Sequence, residues 1–136
     1  MDTNKFLVLY NFCLTFAKQQ IEANGGFYPF GADIDKDGHI EPAASGPHEN
    51  PTTQEQMFVD LNNLFFVRAA HREIQAAAIA TWETPTPLSQ RYAIKIVIET
   101  NTPEAITTRI PLTRNDEGTF LEEPLSEPHE PRWFLK

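Results

Sequence analysis

Apolar residues recur every three or four positions near the start of the chain. Phe6, Leu9, Cys13, Phe16 and Gln20 mark one face, and Leu7, Tyr10, Leu14 and Ile21 make a neighbouring stripe. This spacing predicts a helix over 4–23 that is covered on more than one side. Thr3 can cap its start, and Asn24-Gly25-Gly26 stops it, because Asn and Gly accept the left-handed conformation of a helix end. From Phe27 the period drops to two: Tyr28, Phe30, Ala32 and Ile34 share one face of a predicted strand over 27–34. Asp35-Lys36-Asp37-Gly38 predicts a hairpin turn, returning as a short strand over 39–43 in which Pro42 marks a sheet edge. Two prolines and a glycine between Ser45 and Pro51 predict a loop. Thr53 with Gln56 has the capping-box spacing, so a second helix is expected to about Arg72, with Met57, Leu61, Leu64, Phe65 and Arg68 along one face.

The remaining pattern is that of strands. Ile74 to Trp82 is alanine-rich, which lets a helix pack close, and Thr84-Pro85-Thr86-Pro87 breaks it. In 91–99, Tyr92, Ile94, Ile96 and Ile98 face inward while Arg91, Lys95 and Glu99 face outward, the mark of a sheet with one wet face. Ile106, Thr108, Ile110 and Leu112 repeat the alternation, and Thr119 to Leu121 adds a short strand. The order α-β-β-α-β-β-β with short connections predicts one α+β domain over 1–121. Its expected form is a two-layer arrangement with about five mainly antiparallel strands and both helices on one face. Residues 122–136 read as an acidic, proline-rich, polyproline-like tail that packs on the domain or on a partner.

Composition narrows the function classes. The 136 residues suit one domain, and a net charge of −8 argues against nucleic acid and anionic membrane, since phosphate binding needs a basic face. No apolar run is long enough for a membrane span. The single cysteine, Cys13, lies among Phe12, Leu14 and Phe16 and reads as a buried hydrophobe. Asn11 and Thr15 interrupt the apolar start and no small-residue cleavage site follows, so it reads as a helix of the mature fold and the protein as cytoplasmic.

Few constellations could carry chemistry. The segment Asp33-Ile34-Asp35-Lys36-Asp37-Gly38-His39-Ile40-Glu41 has carboxylates at spacing two and a glycine at the sharp turn. It resembles the first nine positions of an EF-hand loop, which implies calcium at Asp33, Asp35 and Asp37. It departs from that pattern in having Ala44 at the twelfth position and Pro42 where the exiting helix should start. Pro29-Phe30-Gly31-Ala32 with Lys36-Asp37-Gly38-His39-Ile40, and the H-x-E form of His71-Arg72-Glu73, resemble elements around the zinc site of nucleoside deaminases. That family needs two further thiolates, and Cys13 alone cannot supply them, so zinc deamination is not expected. The competing explanation for both resemblances is an ordinary charged hairpin. No nucleophile elbow or phosphate loop occurs, and no cofactor is expected.

Three functional expectations follow. Small size, acidic charge and absent catalytic motifs favour a non-enzymatic interaction protein. It would be a regulatory or immunity-type accessory protein meeting a basic partner, with Glu127, Glu130, Trp133 and Phe134 as its docking arm. The excess apolar surface of the first helix suggests a homodimer. The alternative is a ligand-binding protein or enzyme with a pocket between helices and sheet near Tyr28, His48, Glu49 and Trp82. The third is the calcium loop. The F-Y-P-F-G strand after a first helix and the later A-I-K-I-V-I-E strand over 93–99 resemble small uncharacterised bacterial α+β families, which implies a fold and a bacterial source but no site.

Overall fold

The computed structural model describes residues 3–43, 54–85, 91–102 and 104–134. The elements are α1 (Thr3–Asn24), β1 (Phe30–Asp35), β2 (Ile40–Ala43), α2 (Gln54–Ala70), β3 (Ile74–Glu83), β4 (Tyr92–Thr100), β5 (Ala105–Asn115), β6 (Gly118–Leu121) and β7 (Leu125–Pro128). The α+β class is as expected, with more strands than five. The sheet order is β2-β1-β3-β4-β5-β6, every pairing is antiparallel, and β7 lies beside β6 along the same edge of β5. The predicted loop over Ser45–Pro51 and the cap at Thr53 lie outside the described residues. No helix among the described residues is long and apolar enough to cross a membrane.

The helices sit on opposite faces of this sheet, which corrects the expectation of two layers with both helices on one side. Phe6, Leu9, Cys13, Ala17 and Ile21 of α1 pack on Ala76, Ala78 and Ala80 of β3 and on Ile94, Ile96 and Ile98 of β4. Leu61 and Phe65 of α2 pack on Ala77 and Ile79, the alternate residues of β3. Successive strand residues point to opposite faces, so β3 is a central strand buried on both sides. Its alanines let both helices approach. Gly31, on β1, serves the same end: a Cβ there would lie 2.9 Å from the Phe65 ring.

The tail is part of the domain. Leu125–Pro128 forms β7 rather than a polyproline arm, with Ile106↔Pro128 to Arg109↔Leu125 in register. Trp133 and Phe134 close the α2 side of the core. Cys13 is fully buried, and burial pushes its thiol up to about 12. A thiol so rarely ionised is a poor nucleophile. A thiol-specific disulfide reagent is therefore expected to leave the native protein unlabelled and to label one site after denaturation; prompt native labelling would contradict this burial.

Candidate functional site

The end of the sheet where β3 finishes and β1 begins holds a cleft of about 530 Å³. Three features of the sequence build it. Gly25, at φ 80°, closes α1 with its N–H donating to Ile21 O at 2.8 Å, so the last helical turn presents Gln20 and Asn24 to the cleft. Gly26 then passes against the indole of Trp82; a Cβ at this position would lie 2.6 Å from Trp82 Nε1. Trp82 is held by Tyr92, stacked at 5.0 Å and 17°, and by Phe27, tilted at 5.7 Å.

Tyr28 lines the cleft with 67% of its surface exposed, and Gln54 of α2 lines it too. Asn24 Nδ2 donates to Gln20 Oε1 at 3.1 Å, which orients both amides. None of these side chains carries a charge at neutral pH. Aromatic walls with a few amide groups suit a neutral ligand that has both an apolar face and hydrogen-bonding groups.

Of the four candidate ligand-binding residues, Tyr28 and Trp82 line this one cleft, while His48 and Glu49 lie outside the described residues. The calcium set is not brought together. Strand alternation turns Asp33 onto the α2 face, where it is fully buried and accepts from Arg68 Nη1 at 2.8 Å. The ligand atoms of Asp35, Asp37 and His39 do lie within 4.8 Å of one another. Their geometry is that of a closed turn. Asp35 Oδ1 accepts from the backbone N–H of Asp37 at 2.8 Å and of His39 at 2.9 Å, and β2 follows where an EF-hand would continue into a helix. These bonds, His39's foremost, hold the Asp35 carboxyl below its ordinary value of 3.8. His71 and Glu73 are exposed beyond the end of α2, and Glu73 reaches Arg68 Nε at 3.7 Å rather than building a metal site.

The docking-arm residues also take other places. Trp133 and Phe134 are 3% and 6% exposed, the Trp133 ring lies 5.2 Å from Phe65, and its Nε1 donates to Asn62 Oδ1 at 2.9 Å. Their apolar area is used inside the chain, which corrects their reading as a partner anchor. Glu127 and Glu130 remain exposed, with Glu127 3.5 Å from Arg109 Nη1.

The strongest polar node escaped sequence reasoning. Glu99, expected to face outward, is fully buried. Its Oε1 accepts from the backbone N–H of Arg132 at 2.8 Å and of Trp133 at 2.9 Å, and its Oε2 lies 3.4 Å from His129 Nε2. His129 Nδ1 in turn lies 3.0 Å from Thr107 Oγ1. This chain of contacts latches the C-terminal segment to β4 and β5. The available signal was Val97, an apolar residue on the supposedly wet face between Lys95 and Glu99. Comparisons with protein-family models, curated proteins and solved structures return no match for this chain.

Proposed function

We propose that this chain is a binding protein for a neutral polar small molecule of saccharide type, held in the cleft between Tyr28 and Trp82. The observation that carries this reading is the convergence of two aromatic residues, distant in sequence, with oriented amides and no charged side chain among the described lining residues. Sugars present apolar C–H faces to aromatic rings and hydroxyl groups to amides. The test is a thermal-shift and ligand-detected NMR screen with mono- and oligosaccharides, with neutral nucleosides as a second arm. A ligand that binds the native state raises Tm by mass action. Tyr28→Ala, an exposed position, is expected to abolish that rise without altering Tm in the absence of sugar. A panel giving no rise, or a rise that survives Tyr28→Ala, would remove the reading.

A protein-binding role is the second reading. It is supported by apolar side chains exposed on both helices, Leu7 and Val8 on α1 and Val59, Phe66 and Val67 on α2, and by the net charge of −8. The expected partners are a basic protein, released by salt, or a second copy of the chain. Sedimentation as a monomer together with no salt-released partner would exclude this role. A reducing, cytoplasmic setting is part of the proposal, supported by the free, buried Cys13.

A further inference from the structure

At the opposite end of β3 from the saccharide cleft, a pocket of about 570 Å³ opens between the end of α2 and the C-terminal segment. Phe66, Ile74 and Phe134 supply apolar lining, and the only charged side chains among its lining residues are Lys36 and Arg72. The chain carries nineteen acidic residues against eleven basic ones, yet no acidic side chain among the described residues lines this pocket. Among the described residues, Arg68, Arg91 and Arg109 form ion pairs, whereas Lys36 and Arg72, like Lys18, Lys95 and Arg132, form none. Glu73, next to Arg72, is turned toward Arg68.

Main-chain bonds fix the backbone at both positions. The Lys36 N–H donates to Glu73 O at 3.1 Å, and Gln75 Nε2 donates to the carbonyls of Asp35 and Lys36 at 3.0 Å each. Arg72 sits at φ 57°, a left-handed conformation that non-glycine residues adopt at a cost. It occupies the turn that ends α2, where its N–H donates to Ala69 O at 3.0 Å and the N–H of Glu73 to Arg68 O at 2.9 Å. Glycine is the usual residue in that turn. These bonds also satisfy carbonyls at the helix end, leaving fewer bare acceptors to repel an anion. The helix-ending turn thus places an exposed Arg72 on the rim of the pocket that exposed Lys36 also lines, above Phe66, Ile74 and Phe134.

We propose that this pocket binds an apolar organic carboxylate, its head group between Lys36 and Arg72 and its hydrocarbon body over Phe66, Ile74 and Phe134. Guanidinium and ammonium groups make charge-assisted hydrogen bonds to a carboxylate, and the apolar body gains by leaving water. The probe is decanoate, titrated at low salt into isotope-labelled full-length chain and followed by amide NMR.

Saturable shifts at Ala69, Ala70, Ile74 and Gln75 are expected, with Kd below about 1 mM. Lys36→Gln and Arg72→Gly should each weaken binding by about fivefold or more, the loss of one charge-assisted contact. Arg72→Gly should also raise Tm, because it relieves the left-handed strain. Decanol, which lacks the charge, and inorganic phosphate, which lacks the apolar body, should bind at least about tenfold more weakly. The proposal is overturned by unshifted pocket amides, by undiminished affinity in either variant, by decanol or phosphate matching decanoate, or by a lower Tm in Arg72→Gly. Shifts confined to the Tyr28–Trp82 end would leave the saccharide cleft standing and remove this site.

Discussion

Glu99→Leu is expected to lower stability by about 2–5 kcal/mol, the sum for one buried and one part-buried backbone donor that lose their acceptor. The donors are the N–H groups of Arg132 and Trp133, at 2.8 and 2.9 Å from Glu99 Oε1. Removing a buried carboxyl works the other way, since its desolvation is unfavourable. Here that relief is outweighed, because a leucine offers these donors nothing and the His129 contact goes too. Glu99→Gln keeps one carbonyl oxygen for both N–H groups, so it should retain more than half of what leucine loses. Urea unfolding at pH 7 reads both values. Trp133 emission should shift to the red in the leucine variant if the segment lifts from Phe65. A leucine variant within about 1 kcal/mol of the wild type would mean that the latch is incidental to stability.

Arg68→Met should cost about 3–5 kcal/mol at pH 7, the usual result of stripping the partner from a buried charge. The more telling outcome is its pH dependence. Burial pushes the Asp33 carboxyl above its ordinary value of 3.8, and Arg68 pulls it part of the way back. Asp33 Oδ1 has no hydrogen-bond partner among the described residues, which leaves the charged form poorly solvated. A carboxyl raised in the folded state holds its proton longer there than in the unfolded chain. Its contribution to stability is therefore greatest below 3.8 and is lost as pH rises through the folded value. Without Arg68 the folded value climbs further and the window of loss widens. The gap between variant and wild type should be small near pH 4 and full at pH 7. Equal gaps at both pH values would show that Arg68 acts through packing rather than charge.

How much of this was legible depended on how local the cause was. The stop at Asn24-Gly25-Gly26 and the turn at Gly38, which has φ 90°, are written in two or three residues and appear where the sequence placed them. The faces of the sheet were not legible, because β3 is alanine on both sides and shows no alternation to read. Without that, Glu99 read as outward-facing and Asp33 as a candidate calcium ligand, when both lie under the α2 side. β7 was hidden for a different reason. Its four side chains are all exposed, so the backbone ladder to β5 positions it, helped by polar contacts of Ser126 with Thr108 and of Glu127 with Arg109, and its proline and polar residues suggest no strand. For the sites, Tyr28 and Trp82 could be named as candidates from residue type. The Lys36–Arg72 pocket could not, because its wall joins a hairpin turn, a helix end and Trp133 and Phe134 near the C-terminus.

The two borders of the sheet have a consequence for self-association. One border is the four-residue β2, with Pro42 inside it and Glu41 exposed. The other is divided between β6 and β7, which are also four residues each, with Pro128 in the second. Short, charged, proline-bearing outer strands give an incoming chain little to pair with. The inner strands are the reverse: 93–98, rich in isoleucine and valine and interrupted only by Lys95, has the β-propensity from which cross-β fibrils grow. Resistance to fibril growth therefore resides in the folded borders. Conditions that peel β2 or β7 away would expose this chain to aggregation before its core has melted.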